Sequence, residues 1–333
     1  MSRIARRALG VAASVAVVAA GLLAAPQEVV RTLPSARAAA VCSEASGGTK
    51  FYPGDDSSRR YNTTFHEGVS INHYLEDYVP QGLGVWNDWN GGTEDLFLVG
   101  MHHRDENAHL SLIYGISTST GAFRGSAYLP KGAHAGSVRT YQGWMYVQQN
   151  TGSLRRYNLS SVRSSFRSSG IQSLGNGSSQ AVTGVSFFDI DGGYLYGGRF
   201  NEAGRDVMRR YRISSAGNLT RDASWGPVQV PKKAQGLLVL SNTYVFSTSS
   251  GRNNHSNVYV LRRGYTTNFE SVRYTCFEAP VLSEDLVGFG GRTYLSYEGG
   301  ADYFDGSFPW TTADNKIKNL HWANTETLRG MVW

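Results

Sequence analysis

The sequence contains no G-x-S-x-G elbow, no H-E-x-x-H pair, no phosphate-binding loop and no dinucleotide fingerprint. Without them, no motif supports the hydrolase, zinc-protease, nucleotide-binding or Rossmann classes. Leu-rich helical stretches are scarce, and after the first 25 residues no apolar run approaches membrane length. Charge of one sign is also lacking. Residues 1–38 hold five of the 32 basic residues and one of the 26 acids, so residues 39–333 carry 27 against 25. That near neutrality argues against nucleic acid or an anionic membrane surface as a partner. What is abundant is glycine, at 39 residues, and tyrosine, at 19, a composition of short strands joined by tight turns.

The opening stretch orders its residues as a secretory signal does. Arg3, Arg6 and Arg7 precede an Ala/Val/Leu run of about 18 residues, just long enough to span a bilayer if left uncleaved. Ala36, Arg37 and Ala38 then offer a signal-peptidase site, so the mature, extracellular chain is expected to begin near Ala39. Ala8, Leu9 and Gly10 follow the tandem arginines where twin-arginine export favours a bulky pair. Val41 stands before Cys42 where a lipobox needs a small residue. Cys42 and Cys276 are the only thiols, and in an oxidising compartment they are expected to pair.

Self-comparison decides the architecture. A unit with an apolar strand, a Gly-containing turn and a strand rich in Tyr, Phe and Val recurs five times: QGLGVW with DLFLVGMHH (81–86, 95–103), HAGSVRTYQGWMYVQQ (134–149), TGVSFFDIDGGYLYGGRF (183–200), QGLLVLSNTYVFSTS (235–249) and EDLVGFGGRTYLSYEG (284–299). The first four supply a third strand, HLSLIYGIS, SLRRYNL, VMRRYRI and NVYVLRR, and a looser fourth segment. Four strands per roughly 50 residues, with units starting near 81, 134, 183, 235 and 284, predict an all-β, five-bladed β-propeller. The fifth unit is short of strands. Residues 39–80, with KFYPG and RRYNTTF, are expected to complete it and close the ring.

In such a ring the unit starts and the ends of the second strands surround the channel mouth. The starts are Gln81, His134, Thr183, Gln235 and Glu284; the strand ends bring His102, His103, Gln149, Asn150, Arg199, Asn201, Arg252, Asn253, Asn254 and Glu298. The expected ligand set is Gln81, His103, His134, Arg199, Gln235, Arg252, Asn253, Glu284 and Glu298, with Arg252 as a charge-assisted donor to a carboxylate or phosphate. Glu284 and Glu298, with His134, are the candidate catalytic groups of a glycosidase-like alternative. Asp77, Asp95, Asp189 and Asp285 add acids but no clean set. The histidine spacing matches no zinc signature, and DIDGG (189–193) is half a calcium loop lying at a hairpin, so no metal and no cofactor are expected.

The segments at 234–263 and 279–304 resemble uncharacterised secreted five-bladed propeller proteins of Gram-positive bacteria. The geometry is more distantly similar to tachylectin-type lectins and five-bladed arabinan-degrading enzymes. The resemblance implies architecture rather than activity. The expected function is binding of an extracellular carbohydrate or cell-envelope component by a monomer, with Trp86, Trp89, Trp144, Trp225, Trp310 and Trp322 as candidate stacking faces. A secreted hydrolase is the alternative.

Overall fold

The computed structural model describes residues 42, 44–105, 108–264, 268–306 and 311–333. The signal segment, its cleavage point and Trp310 lie outside the described residues. The chain forms a five-bladed β-propeller, each blade built on four antiparallel strands. From the channel outward, blade 1 comprises Tyr78–Trp86, Leu96–His103, Leu110–Ser117 and Phe123–Lys131; blade 2 Val138–Tyr141, Trp144–Asn150, Ser153–Asn158 and Ser178–Ala181; and blade 3 Phe187–Asp191, Tyr194–Gly198, Val207–Ile213 and Leu219–Arg221. Blade 4 comprises Ala234–Val239, Thr243–Thr248, Ser256–Arg262 and Tyr274–Ala279. Blade 5 takes Ser283–Phe289, Arg292–Tyr297 and Asn319–Asn324 from the C-terminal part, and its outermost strand, Phe65–Ser70, from the N-terminal part.

Burial follows position in the blade. Second strands such as Thr243–Thr248 are covered on both faces by neighbouring blades and are buried throughout, an apolar Tyr-Val-Phe centre flanked by buried hydroxyls. Third strands lie nearer the rim and are only partly buried, as in Val207–Ile213, where Met208 packs toward blade 4 on one face and Tyr211 and Ile213 toward blade 2 on the other. Arginines on the outer strands lie over aromatic rings, Arg156 over Trp144 at 4.3 Å and Arg210 over Tyr194 at 4.2 Å. The Q-G pairs of units one and four have a packing reason. A Cβ on Gly82 would stand 2.3 Å from the Ala135 carbonyl oxygen, and one on Gly236 would stand 2.7 Å from that of Glu284, so only glycine admits the next inner strand.

Phe65 pairs with Ala323 and His66 with Trp322, so the last sheet joins the two ends of the domain. Ahead of it the helix Arg59–Thr64 is capped by Ser58, whose hydroxyl accepts from the Tyr61 amide and donates to the Glu278 carbonyl of blade 4. Tyr61 is fully buried, its hydroxyl bonded to Tyr297 and 2.7 Å from His321 Nδ1. The Cys42–Cys276 disulfide ties this strap to the outer strand of blade 4. It spans 234 residues, and restraint of the unfolded chain grows with loop length. Reduction under native conditions is expected to lower the calorimetric melting temperature by several degrees without loss of sheet signal. An unchanged midpoint would assign the closure to the Tyr61 cluster alone.

At the centre, Arg139 plugs the channel with a side chain 5% exposed. Its Nε donates to Asp189 Oδ1 at 2.6 Å, Nη1 to Asp285 Oδ2 at 2.9 Å and Nη2 to Asp285 Oδ1 at 3.2 Å. It also donates to the carbonyls of Leu83, Val138, Leu237 and Leu286. The two carboxylates in turn accept the backbone amides of Leu83, Val239 and Leu286. All five inner strands therefore meet at one guanidinium. Asp189 and Asp285 are spent on this hub, and Asp191 pairs with Arg263 at 3.0 Å, so DIDGG serves interblade bonding and its hairpin turn rather than calcium.

Candidate ligand-binding site

Inner strands run from the mouth toward hairpins at the far end, so the residues at or just before their starts ring one opening. Gln81, Gly136, Ser186, Gln235 and Glu284 supply one residue from each blade. His134 and the end of the second strand of blade 2, Gln148, Gln149, Asn150 and Thr151, fill one side, and Phe200 adds an aromatic edge from blade 3. Together they enclose a cavity of about 490 Å³ above the Arg139 hub. That volume suits a small polar molecule or one end of a longer chain.

Five of the twelve lining residues carry side-chain amides: Gln81, Gln148, Gln149, Asn150 and Gln235. Gln148 Oε1 accepts the Gly136 amide at 3.1 Å. Gln149 is 8% exposed; its Nε2 donates to the Lys131 carbonyl at 3.4 Å, and its Oε1 is buried with no hydrogen-bond partner. The bond to Lys131 fixes which end of the amide faces which way. A buried acceptor left unpaired is costly to the fold.

Glu284, 1% exposed, accepts from Gln235 Nε2 at 3.0 Å, and Glu298 accepts from Gln81 Nε2, which also reaches the Pro80 carbonyl at 3.1 Å. Burial raises the Glu284 carboxyl well above its usual range and the neighbouring Glu298 charge raises it further, against the opposing bond from Gln235. Burial likewise carries Glu298 up to about 7, with the Gln81 bond pulling the other way. The pair lies within mutual electrostatic reach, and burial favours the protonated form of both carboxyls. Two carboxyls of one blade are thus braced by glutamines of the blades on either side.

No family model matches the chain, and no curated protein matches it in sequence. Among solved structures, a glutaminyl cyclase of Myxococcus xanthus is similar over 78% of this chain and 96% of its own, at 12% identity and a TM-score of 0.46. A β-xylosidase is similar over 78% and 94%, at 12% identity and 0.40, and BamB from Moraxella catarrhalis over 78% and 97%, at 10% identity and 0.31. Likenesses this distant bear on no residue of the site.

The expected residues divide into two groups. Gln81, His134, Gln235 and Glu284 line the cavity, and Glu298 joins them through Gln81. His134 stacks on His102, centroids 5.2 Å apart and nearly parallel. Four others lie outside the cavity wall. His103 stacks on His109 at 4.0 Å and accepts the Asp105 amide at Nδ1, holding a side loop of blade 1; burial first and His109 second lower its pKa. Arg199 pairs with Asp206 at 2.8 Å inside its own loop, and the next residue, Phe200, takes the place at the wall. Arg252 and Asn253 correct the expectation most plainly. Their turn docks against residue 314, the Arg252 carbonyl accepting the Asp314 amide at 3.0 Å and Asn253 Nδ2 donating to its carboxylate at 2.9 Å, which leaves the Arg252 side chain exposed outside the cavity.

No tryptophan among the described residues lines this cavity. Trp86 and Trp89 are buried against Phe166, Trp144 lies under Arg156, Trp225 meets Tyr196 edge-on and Trp322 packs with His66 and Arg292. Gln148, Thr151, Ser186 and Phe200 belong to the wall and were not expected there. The QQNT run at 148–151, polar just where a buried second strand ends, was the legible signal for Gln148 and Thr151; Ser186 and Phe200 had none.

Proposed function

We propose that the protein is secreted and binds an extracellular saccharide, free or part of the cell envelope, in the cavity at the channel mouth. The observation that carries this reading is the set of amide side chains, Gln81, Gln148, Gln149, Asn150 and Gln235, gathered at the cavity from three blades. Fixed amides read hydroxyl groups directionally, and Phe200 and the His134 ring offer apolar faces to a sugar ring. The disulfide supports an oxidising compartment, and no helix among the described residues is long and apolar enough to cross a membrane. A glycan array with the mature protein is expected to give saccharide hits, and Gln149→Leu is expected to weaken them about tenfold, the effect of one amide removed from the cavity wall, at unchanged melting temperature. An array silent toward polysaccharides and peptidoglycan fragments would refute the reading.

The raised carboxyls of Glu284 and Glu298 favour a second reading, a glycosidase-like hydrolase with one acid protonated and the other available as base or nucleophile. Incubating the bound saccharides with wild type, Glu284→Gln and Glu298→Gln separates the two. Cleavage lost at least a hundredfold in both variants would establish hydrolysis; binding without cleavage would exclude it.

A further inference from the structure

We propose that blade 2 carries a second binding surface, on residues 155–168, and that it takes an acidic polysaccharide, a chain bearing both hydroxyl and carboxylate groups. The near neutrality of residues 39–333 conceals a local imbalance. No acid stands between Glu106 and Asp189 in the sequence. Of the cations in that interval, Arg124 pairs with Glu94, and Arg139 with Asp189 and Asp285. Arg155, Arg156, Arg163 and Arg167 have no carboxylate partner among the described residues. Elsewhere surface arginines are paired, as in Arg104 with Asp77, Arg199 with Asp206 and Arg210 with Asp222. Four guanidiniums this close in sequence repel one another, and an external anion relieves the repulsion.

The strand Ser153–Asn158 runs away from the channel mouth, and the helix Leu159–Phe166 follows at the far end of the blade. Val162 and Phe166 are buried. At i, i+3, i+4, i+7 and i+8 the other side carries Ser160, Arg163, Ser164, Arg167 and Ser168, a stripe in which serine and arginine alternate. Arg163 lies over Trp86 at 5.3 Å and Arg167 over Trp89 at 5.2 Å, and the two indoles are 5.8 Å apart. Stacking holds both guanidiniums in place before a ligand arrives, which lowers the ordering cost of binding. Arg155 adjoins them, on the face of its strand that sends Tyr157 into the apolar cluster of Trp86, Trp89 and Phe166.

The serines select the kind of chain. Ser160 Oγ donates to Asn158 Oδ1 at 2.6 Å, Ser164 Oγ to the Ser160 carbonyl at 3.1 Å and Ser168 Oγ to the Ser164 carbonyl at 2.9 Å. Each hydroxyl proton is thus used within the protein, and each of these exposed serines has only an acceptor left to offer. Cations separated by acceptors fit a chain whose anions are separated by hydroxyl donors. A bare polyphosphate has no donor for them. A nucleic acid would find no ring to stack on, since Trp86 and Trp89 are buried under the arginines, and an anionic bilayer would find no exposed apolar residue on the stripe to insert.

The test is biolayer interferometry of the mature protein against polygalacturonate, its methyl ester, polyphosphate, duplex DNA and phosphatidylglycerol vesicles. Polygalacturonate is expected to bind tightest, to lose at least about tenfold in affinity between about 50 and 200 mM salt, and to bind at least about tenfold better than the uncharged ester. Arg163→Gln with Arg167→Gln is expected to weaken it about tenfold or more at unchanged melting temperature. The lysine pair, Arg163→Lys with Arg167→Lys, is expected to keep most of the binding, which tells loss of charge from loss of fold. Ser160→Ala, Ser164→Ala and Ser168→Ala together are expected to weaken polygalacturonate about tenfold and to leave polyphosphate unchanged. Gln149→Leu, at the opposite end of the channel, is expected to change nothing. If Gln149→Leu weakens polygalacturonate and the arginine variants do not, the polymer sits in the mouth cavity; the second surface is refuted and the saccharide reading stands. Tighter binding of polyphosphate, DNA or vesicles would overturn the polysaccharide. No binding by any of the five at about 50 mM salt would show that these arginines serve only to cover tryptophans.

Discussion

Replacing Arg139 with methionine is expected to destabilise the protein by about 3–5 kcal/mol, the largest effect of any single substitution in the channel. The change removes seven donated hydrogen bonds and leaves Asp189 and Asp285 buried with no counter-charge. Asp285 already shows the cost of its position: burial holds its carboxyl at about 6 even with the guanidinium beside it. Without Arg139, both carboxyls would take up protons, and the backbone carbonyls of Leu83, Leu237 and Leu286 would each lose a donor. Because one side chain joins all five inner strands, the loss is also expected to reduce cooperativity, broadening the calorimetric transition. Buried ion clusters can often be exchanged for apolar residues at little cost. Here the triple change Arg139→Met, Asp189→Leu, Asp285→Leu is expected not to recover stability, since the two carboxylates also accept the amides of Leu83, Val239 and Leu286. A triple variant as stable as wild type would show that the hub contributes charge balance and nothing to interblade bonding.

This hub was illegible in the sequence, and the reason is physical. V-R-T-Y at 138–141 looks like any half-exposed strand with an arginine on its wet side, and Arg139 meets Asp189 and Asp285 across 50 and 146 residues. The blade repeat was legible because covering both faces of a strand forces the same apolar run at the same interval in every unit. Gln81, Gln235 and Glu284 were legible because inner-strand starts are fixed by that repeat. Loop residues were not. The turns holding Arg199 and Arg252 follow second strands as expected, but where a loop turns next depends on partners such as Asp206 and Asp314, which no periodicity encodes. Gln149 shows the converse. It appeared as one polar residue among several, and only burial of its unpaired oxygen separates it from them.

Glu298→Gln is expected to become progressively more stable than wild type as pH rises from about 5 to 8, by a total of about 3 kcal/mol. An unfolded chain releases this proton near 4.5, while the folded protein keeps it up to about 7. Below the lower value both states are protonated and the contribution to stability is whole. Between the two values the unfolded state has lost a proton that the folded state still holds, so stability falls with rising pH, and above about 7 the loss is complete for this group. Each unit of separation corresponds to about 1.4 kcal/mol, which sets the scale. Glutamine keeps the acceptor for Gln81 Nε2 but carries no proton to lose. Removing the charge also relieves Glu284, whose rise depends in part on Glu298, so the gain extends above pH 7. The difference between variant and wild type is the quantity to measure, because other groups pull the absolute curve both ways. His321, buried and held down to about 3, favours folding as pH rises toward 6.5 and acts against the carboxyls. Chemical denaturation of the two proteins at half-unit pH intervals supplies the curve. A difference that stays flat would mean that Glu298 ionises in the folded state as it does in water, and the proton held at the channel mouth would have to reside elsewhere. A widening difference would show that wild type gives up stability at neutral pH to keep a second carboxyl beside Glu284, as expected where a buried charge serves binding rather than the fold.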